Sequence, residues 1–566
     1  GEILATHENA LRLTVEAIED GRIVAIKGLG GFHLVVDAAN EEAVKRLRRR
    51  KNREEKPFAL MYKSWEKAAE DCEISSAEKR LLLSPESPIV LLKKRPSPAN
   101  PVVCESAAPN NPYLGVMLPY TPLHHLLLQK LDRPIVATSG NLSDEPICID
   151  EREALDRLKG IAEIYLVHNR PIKRHVDDSI VRIISGREMV MRRARGFAPL
   201  PVNINKESPK TLAVGAHLKN SVAIGFDKRV FISQHIGDLE TTQAYGAFEK
   251  VIESLGNLYE FKPAYIACDI HPDYLSSQYA RKCNLPLVRV QHHYAHILGC
   301  MAENEIEPPV LGVSWDGTGL GTDNTIWGGE FLAIDETGFE RIAHPRTFRL
   351  PGGDKAIKEP RRAAFGILYE IYGDKVLEMS EIASLKAFDK SEITPLTRML
   401  QSGLNSPVTS SAGRLFDAVS SIIGLRHYNN YEGQAAMELE FSIGRINSDE
   451  LYDFKMANNA KPIIIDWEVT IGQIIDDTRQ GVNIGLISAK FHNTMAEIII
   501  TVAKTIGMEK VVLSGGCFQN KYLIEKTINR LNREGFRPYW NQRIPPNDGG
   551  IALGQVIEAA RKNKAV

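Results

Sequence analysis

Cysteine is scarce and scattered, with seven in 566 residues: Cys72, Cys104, Cys148, Cys268, Cys283, Cys300 and Cys517. No two stand in a C-x-x-C pair, so neither a zinc ribbon nor a disulfide framework is readable. An odd number of dispersed thiols fits a reducing cytoplasm, and the chain is expected there. No apolar run approaches the roughly 18 residues that a membrane-crossing helix needs. An excess of one charge is lacking too. The 70 Lys and Arg balance 71 Asp and Glu for a net charge of −1. That excludes a large bulk positive field for nucleic acid, and no nucleic-acid or membrane partner is expected. The first residue is glycine, with no signal-peptide pattern behind it, which reads as a processed or shortened chain.

What is present belongs to a globular protein of two to four domains, 43% apolar and 25% charged. The polar stretch "PVNINKESPKT" (201–211) carries two prolines and reads as a linker. It would separate a domain over 1–203 from one over 210–566. Before it, "GRIVAIKGLGGFHLVVD" reads as strand, glycine turn and strand, and "SIVRIISGREMVMRRARG" as a hairpin turning at Ser185-Gly186. After it, "TLAVGAHLKNSVAIGFDKRVFISQHIG" predicts a strand, a tight turn and two more strands. "PVLGVSWDGTGLGTDNTIWGGEFLAI" repeats that order. Two such units with helices predict a two-lobed α/β domain, its lobes near 210–308 and 309–566.

The densest chemical signal is "QHHYAH", three histidines within residues 291–296. On a helix His292 and His296 lie one turn apart on one face, the spacing two imidazoles need to hold a divalent metal. His293 points elsewhere. Chance clustering of histidines on a polar helix is the competing reading. No glutamate follows His292, so the H-E-x-x-H pattern of metallopeptidases is absent.

Three small-residue loops follow apolar strands. "SWDGTGLGTDNTIWGG" sets Asp316 among glycines, as either an anion-binding concavity or a glycine-turn hairpin. "VVLSGGCFQNKYL" joins a strand to a helix beginning near Asn520, which gathers amide donors as a phosphate cradle does. In "PPNDGGIALGQ", Asp548 is placed either to cap a helix or to join the imidazoles as an oxygen ligand. Further upstream, Lys51, Arg53 and Lys56 converge on a triphosphate or form a solvated basic face. "ATSGNLSDEP" adds Thr138, Ser139 and Asn141 at a strand end.

Lys51-x-Arg53-x-x-Lys56-Pro57 with Thr138-Ser139-Gly140-Asn141 resembles the YrdC (TsaC) carbamoyl-adenylate-forming fold. "QHHYAH", the DGTG loop, "GRLFDAVSSIIGL", "YEGQAAMELE", "LSGGCFQN" and "PPNDGGIALGQ" resemble the TsaD-type branch of the actin, chaperone-ATPase and sugar-kinase (ASKHA) superfamily. Both modules together, with "IKGLGGFHL", "MRRARGFAP" and "WGGE", resemble the hydrogenase-maturation carbamoyltransferases over essentially the whole chain.

The resemblance implies a YrdC-like α/β domain followed by a two-lobed ASKHA α/β domain. It implies that Lys51, Arg53 and Lys56 are catalytic. ATP or the adenylate would also meet Thr138, Ser139, Asn141 and Arg192. In the second domain nucleotide would meet Asp316, Gly317, Thr318, Gly319, Asp417, Gly433, Gly515, Gly516 and Asn520. His292, His296 and Asp548 would hold one Fe2+ or Zn2+, and ATP would come with Mg2+. Carbamoyl phosphate or carbamate would be the carbamoyl source, and the C-terminal cysteine of HypE the acceptor. Family members begin with an acylphosphatase-like domain and a C-x-x-C region, neither of which this sequence contains, so carbamate release from carbamoyl phosphate is expected to be missing. Tyr294 stands where a histidine is usual, off the His292/His296 face. The rival readings are a fused tRNA threonylcarbamoyladenosine synthase and a non-catalytic ATP-dependent scaffold.

Overall fold

In the strand Phe32–Asp37 every residue is buried, which accounts for its unbroken apolar character. Phe32, Leu34 and Val36 pack on one side with Ala43, Val44 and Leu47 of the helix Glu41–Arg50. Val35 packs on the other with Val24, Ile26, Leu127 and Leu128. This packing belongs to the first unit in a computed structural model that describes residues 2–96, 102–142, 145–457 and 460–563. Among those residues a ten-stranded mixed sheet holds the unit together, Val24–Lys27 and Phe32–Asp37 lying near one end of it. The expected hairpin forms between Ile180–Ile184 and Arg187–Arg192, with Ser185 and Gly186 at φ 47° and 77°.

The helix Glu41–Arg50 explains the basic run that follows it. Asn40 caps it by accepting from Ala43 N–H at 3.0 Å, Glu41 and Glu42 sit in the first turn, and Arg48, Arg49 and Arg50 in the last. Acid at the start and base at the end both complement the helix dipole. Lys51 is the residue that ends this helix.

The second unit is built on a seven-stranded sheet among the described residues. Its strands Val310–Trp315 and Lys510–Ser514 pair in parallel, Ser314 opposite Ser514. The loops that follow, from Asp316 and from Gly515, therefore leave the sheet side by side. The helices His292–Glu303 and Ile551–Lys562 cross closely over glycines. A Cβ on Gly554 would lie 1.9 Å from the Ala295 carbonyl oxygen, so only glycine permits the crossing. That contact carries Asp548, just ahead of Ile551, to the histidine helix.

Two expectations are corrected. The stretch 201–211 is not a linker but most of a thirteen-residue strand, Pro201–Ala213. Inward and outward residues alternate along it, with Ile204 and Ser208 buried, and this period of two outweighs the polar composition. By compactness the first unit takes residues 1–202, 209–264 and 542–545, and the second 203–208, 265–541 and 546–566. In the first of the two echoed segments, Ala223–Ile232 runs as one strand rather than two, and the second likewise forms two strands, Val310–Trp315 and Gly329–Ile334, where three were expected.

Candidate functional site

The second unit places four ligand-type side chains together. His292, His296, Asp316 and Asp548 each bring one ligand atom to within 4.8 Å of the others. Gln291 caps the helix by accepting from Tyr294 N–H at 2.9 Å, and His292 is its first residue. The His292 Nδ1–H donates to Asp269 Oδ2 at 2.8 Å, which turns Nε2 toward Asp548 Oδ1 at 3.5 Å and Asp316 Oδ2 at 3.9 Å. A carboxylate only accepts, so the tautomer follows from Asp269. His296 Nε2 meets Asp316 Oδ2 at 2.9 Å and Asp548 Oδ1 at 3.8 Å.

Both histidines are buried, and His292 Nε2 has no hydrogen-bond partner. Burial alone would lower the His292 pKa, but Asp548, Asp269 and Asp316 hold it well above the ordinary histidine range. Burial works the other way on Asp316, and the neighbouring His292 and His296 overcome it to keep that carboxyl well below the usual range. The two imidazoles and the carboxylates of Asp316 and Asp548 thus face one another in a cluster where a divalent cation would sit. The donor set fits the metal that the sequence implies, and suits iron or zinc.

Asp548 is free for this because it is not the helix cap. Asn547 instead caps the short turn Asp548–Gly550 ahead of the helix, its Oδ1 accepting from Gly549 N–H at 3.0 Å. Asp316, read from the sequence as a residue able to hold a metal or its water and, from the resemblance, as a phosphate neighbour, stands inside the ligand cluster. Asp269 lay outside the sequence reading altogether, although it comes at the end of the strand Tyr265–Asp269. His293 is buried with Nε2 unpartnered, and a Cβ on Gly319 would lie 2.5 Å from its Cε1, so it packs against the glycine loop. Burial, then the neighbouring His292, pushes its pKa well below the ordinary range. Tyr294 turns away and stacks near Phe339, ring centres 4.7 Å apart.

Around the cluster the glycine turns come close. Gly515 has φ 103°, and a Cβ on Gly516 would lie 2.8 Å from Asp316 Oδ1. Gly317 N–H donates to the same oxygen at 2.7 Å. Thr318 follows in that loop. Asn520 caps the helix Lys521–Arg533 through Leu523 N–H, and its Nδ2 meets His492 Nε2 at 2.8 Å. Asp417 is buried on the helix Ala412–Ile422, and Gly433, at φ 71°, starts the helix Gln434–Ser442. Burial, then Asp316, drives the Cys517 thiol well above its usual pKa, so it is held as a neutral thiol rather than a nucleophile.

The first unit gathers a different centre. Lys51 is 7% exposed, and Nζ donates to Ser139 O at 2.6 Å, Asn141 O at 3.2 Å and Asn141 Oδ1 at 2.9 Å. Ser139 Oγ donates to Asn141 Oδ1 at 2.7 Å. Burial, then the charge of Arg53, pushes the Lys51 pKa down to about 7. Arg53 Nε donates to Lys56 O at 3.0 Å and its guanidinium lies over the Phe58 ring. Arg48, unread in the sequence, fastens this loop by donating to the carbonyls of Arg53, Glu54 and Lys56 at 3.1–3.2 Å. Thr138 is buried in the strand Ile135–Ser139, opposite Leu34. Arg192 and Lys56 both stand near His235, whose pKa burial and these charges hold well below the ordinary range. Ser143 and Asp144, in the loop after Asn141, lie outside the described residues.

A second polar group lies at the same strand end. His33, opposite Ser139 across the sheet, meets Asp178 Oδ2 through Nε2 at 3.1 Å, and Asp178 Oδ1 accepts from Arg195 at 2.9 and 3.0 Å. The motifs "GGFH" and "RRARG" carried that signal.

A unit with a lysine-centred turn and a unit with a His/Asp ligand cluster define a two-part group-transfer protein. Comparison with known proteins agrees. Residues 16–194 match the Sua5/YciO/YrdC model, described as telomere recombination. Residues 206–303 match the HypF Kae1-like domain, and 312–555 the carbamoyltransferase Kae1-like domain, second subdomain. The carbamoyltransferase HypF of Synechocystis is 46% identical over 98% of this chain and 74% of its own length. That of Rhizobium leguminosarum is 38% identical over 95% and 70%. A crystal structure of full-length HypF in its phosphate- and nucleotide-bound form superposes with a TM-score of 0.92 at 43% identity, over 98% of this chain and 86% of that one. HypF of T. kodakarensis gives 0.92 at 33%, over 99% and 74%. The chain belongs to the HypF family of carbamoyltransferases.

Proposed function

We propose that the first unit activates carbamate with ATP as carbamoyl-adenylate, and that the second transfers the carbamoyl group to the C-terminal cysteine thiol of HypE. The thiocarboxamide so formed is the precursor of the cyanide ligand on hydrogenase iron. The observation that carries this reading is the presence of two unlike buried centres on one chain, one cationic and one built of imidazole and carboxylate. Two centres call for two reactions.

Carbamate is a poor electrophile because oxide is its only leaving group. In the first step a carbamate oxygen attacks the α-phosphorus of ATP and pyrophosphate departs. Lys51, Arg53 and Lys56 offset the charge that builds on the phosphates, and Thr138, Ser139, Asn141 and Arg192 line the same centre. With a pKa of about 7, Lys51 is balanced between charged and neutral forms. An entering phosphate favours the charged form, so the cation appears where the nucleotide binds.

In the second step the thiolate adds to the carbonyl carbon and AMP leaves. Asp316 through Gly319 and Gly515–Gly516 present close backbone to the phosphate. Asn520 fixes the start of the helix behind that loop, and Asp417 and Gly433 stand on the nucleoside side. His292, His296, Asp316 and Asp548 would hold a divalent cation, which when bound supplies Lewis acidity and an anchor for phosphate. The test is incubation of the chain with ATP, a carbamate source and HypE. AMP, pyrophosphate and a carbamoylated HypE cysteine should appear together by mass spectrometry. AMP-free turnover, or threonylcarbamoylation of adenosine when tRNA and threonine replace HypE, would contradict the reading.

A further inference from the structure

The helix Ala412–Ile422 begins against the loop that follows Trp315. Ser411 Oγ donates to the carbonyl oxygens of Asp316 and Gly317 at 2.7 and 2.9 Å, and Gly413 N–H donates to that of Asp316 at 3.1 Å. These bonds press Arg414 onto the loop: a Cβ on Gly317 would lie 3.1 Å from its Nη2. Arg414 is 6% exposed, and its Nε and Nη1 have no hydrogen-bond partner. Nη1 touches Asp417 Oδ2 at 2.7 Å without hydrogen-bond alignment, and that oxygen is unpartnered as well.

Two other shielded arginines of this unit are held by several bonds each. Arg341 bonds Glu330, Asp323 and Ser410, and Arg361 is bonded to both Glu359 and Glu392. A buried guanidinium with unfilled donors is costly unless an anion completes it. Asp417 meets Nη1 out of hydrogen-bond alignment, and burial pushes that carboxyl up to about 6 despite Arg414. Nη1 lies against Asp417, while Nη2 faces the loop at Gly317, whose glycines leave room for a ligand.

We propose that Arg414 is a catalytic residue of the transfer step, its guanidinium receiving the phosphate of the acyl-adenylate and holding the charge that leaves with AMP. This rests on the two-step reading above. The sulfur of the thiolate bonds to the carbonyl carbon, the bond from that carbon to the phosphate oxygen breaks, and its electron pair departs on AMP. A planar fork meets two phosphate oxygens at once, which an ammonium does not.

The test compares Arg414→Gln and Arg414→Lys with the unaltered chain. AMP binding, bound metal, pyrophosphate exchange and transfer to HypE are read on each. The expected result is transfer reduced ~10²–10³-fold in Arg414→Gln, with AMP bound more weakly. Arg414→Lys recovers part of the AMP binding and less of the rate, while bound metal and exchange stay in step with the unaltered chain. Transfer at the unaltered rate in Arg414→Gln overturns the proposal. So does joint loss of metal and transfer, which would make Arg414 a support for the loop alone. If the unaltered chain itself shows neither exchange nor transfer, it is the two-step reading that fails, and AMP binding still judges Arg414.

Discussion

The two centres answer burial in opposite ways. Lys51 is surrounded by carbonyl oxygens and a second cation, so desolvation wins and its pKa falls to about 7. His292 is at least as deeply buried, yet three carboxylates outweigh desolvation and its pKa rises well above the ordinary range. The difference teaches that burial sets the stakes, while the neighbouring charges set the sign. It also separates the tasks. A cation held near neutrality can be recruited by an incoming phosphate, whereas an imidazole cluster already locked to carboxylates is prepared for a fixed positive ion.

The comparison can be broken most forcefully at Lys51. Lys51→Ala should lower ATP–pyrophosphate exchange ~10²–10³-fold and leave metal content unchanged; retained exchange would remove Lys51 from the centre. The pH profile sharpens the same point. The free Lys51 is cationic below about pH 7 and neutral above it. The value of kcat/KM for ATP in exchange should therefore fall as pH rises above about 7, approaching ~tenfold per unit, and Lys51→Arg should flatten that limb. On the other side, Asp269→Asn removes the carboxylate that orients His292, and metal affinity should drop ~10–100-fold in competition with a chelator. Gly554→Ala acts through packing. Its Cβ would press on the Ala295 carbonyl, so the unit should lose about 1–3 kcal/mol in denaturant unfolding.

Local periodicity made much of this legible. The hairpin at Ser185-Gly186, the strand-loop-helix at Gly515 and the one-turn spacing of His292 and His296 all follow from neighbours in sequence. The partners that complete the second centre do not. Asp316 enters from the end of a different strand, with the Gly515 turn set beside it by the parallel pairing of two strands nearly 200 residues apart, and Asp548 through a glycine crossing of two helices. Asp269 lies on a separate strand, and nothing in its own surroundings marks it as a carboxylate behind a histidine. Arg48 and Arg414 were hidden for a related reason. Each sits in a run with ordinary helical composition, and only the third dimension shows one clasping a loop and the other facing it. The strand Pro201–Ala213 was legible in principle, since its alternation is present beneath the prolines and polar residues.

The claim that the two centres carry separate reactions rests most directly on the variant whose effect on exchange should be smallest. His292→Ala with His296→Ala removes both imidazoles from the second unit. Pyrophosphate exchange in that double variant should match the unaltered chain, while bound metal and transfer to HypE disappear. Exchange lost along with the metal would contradict the division of labour.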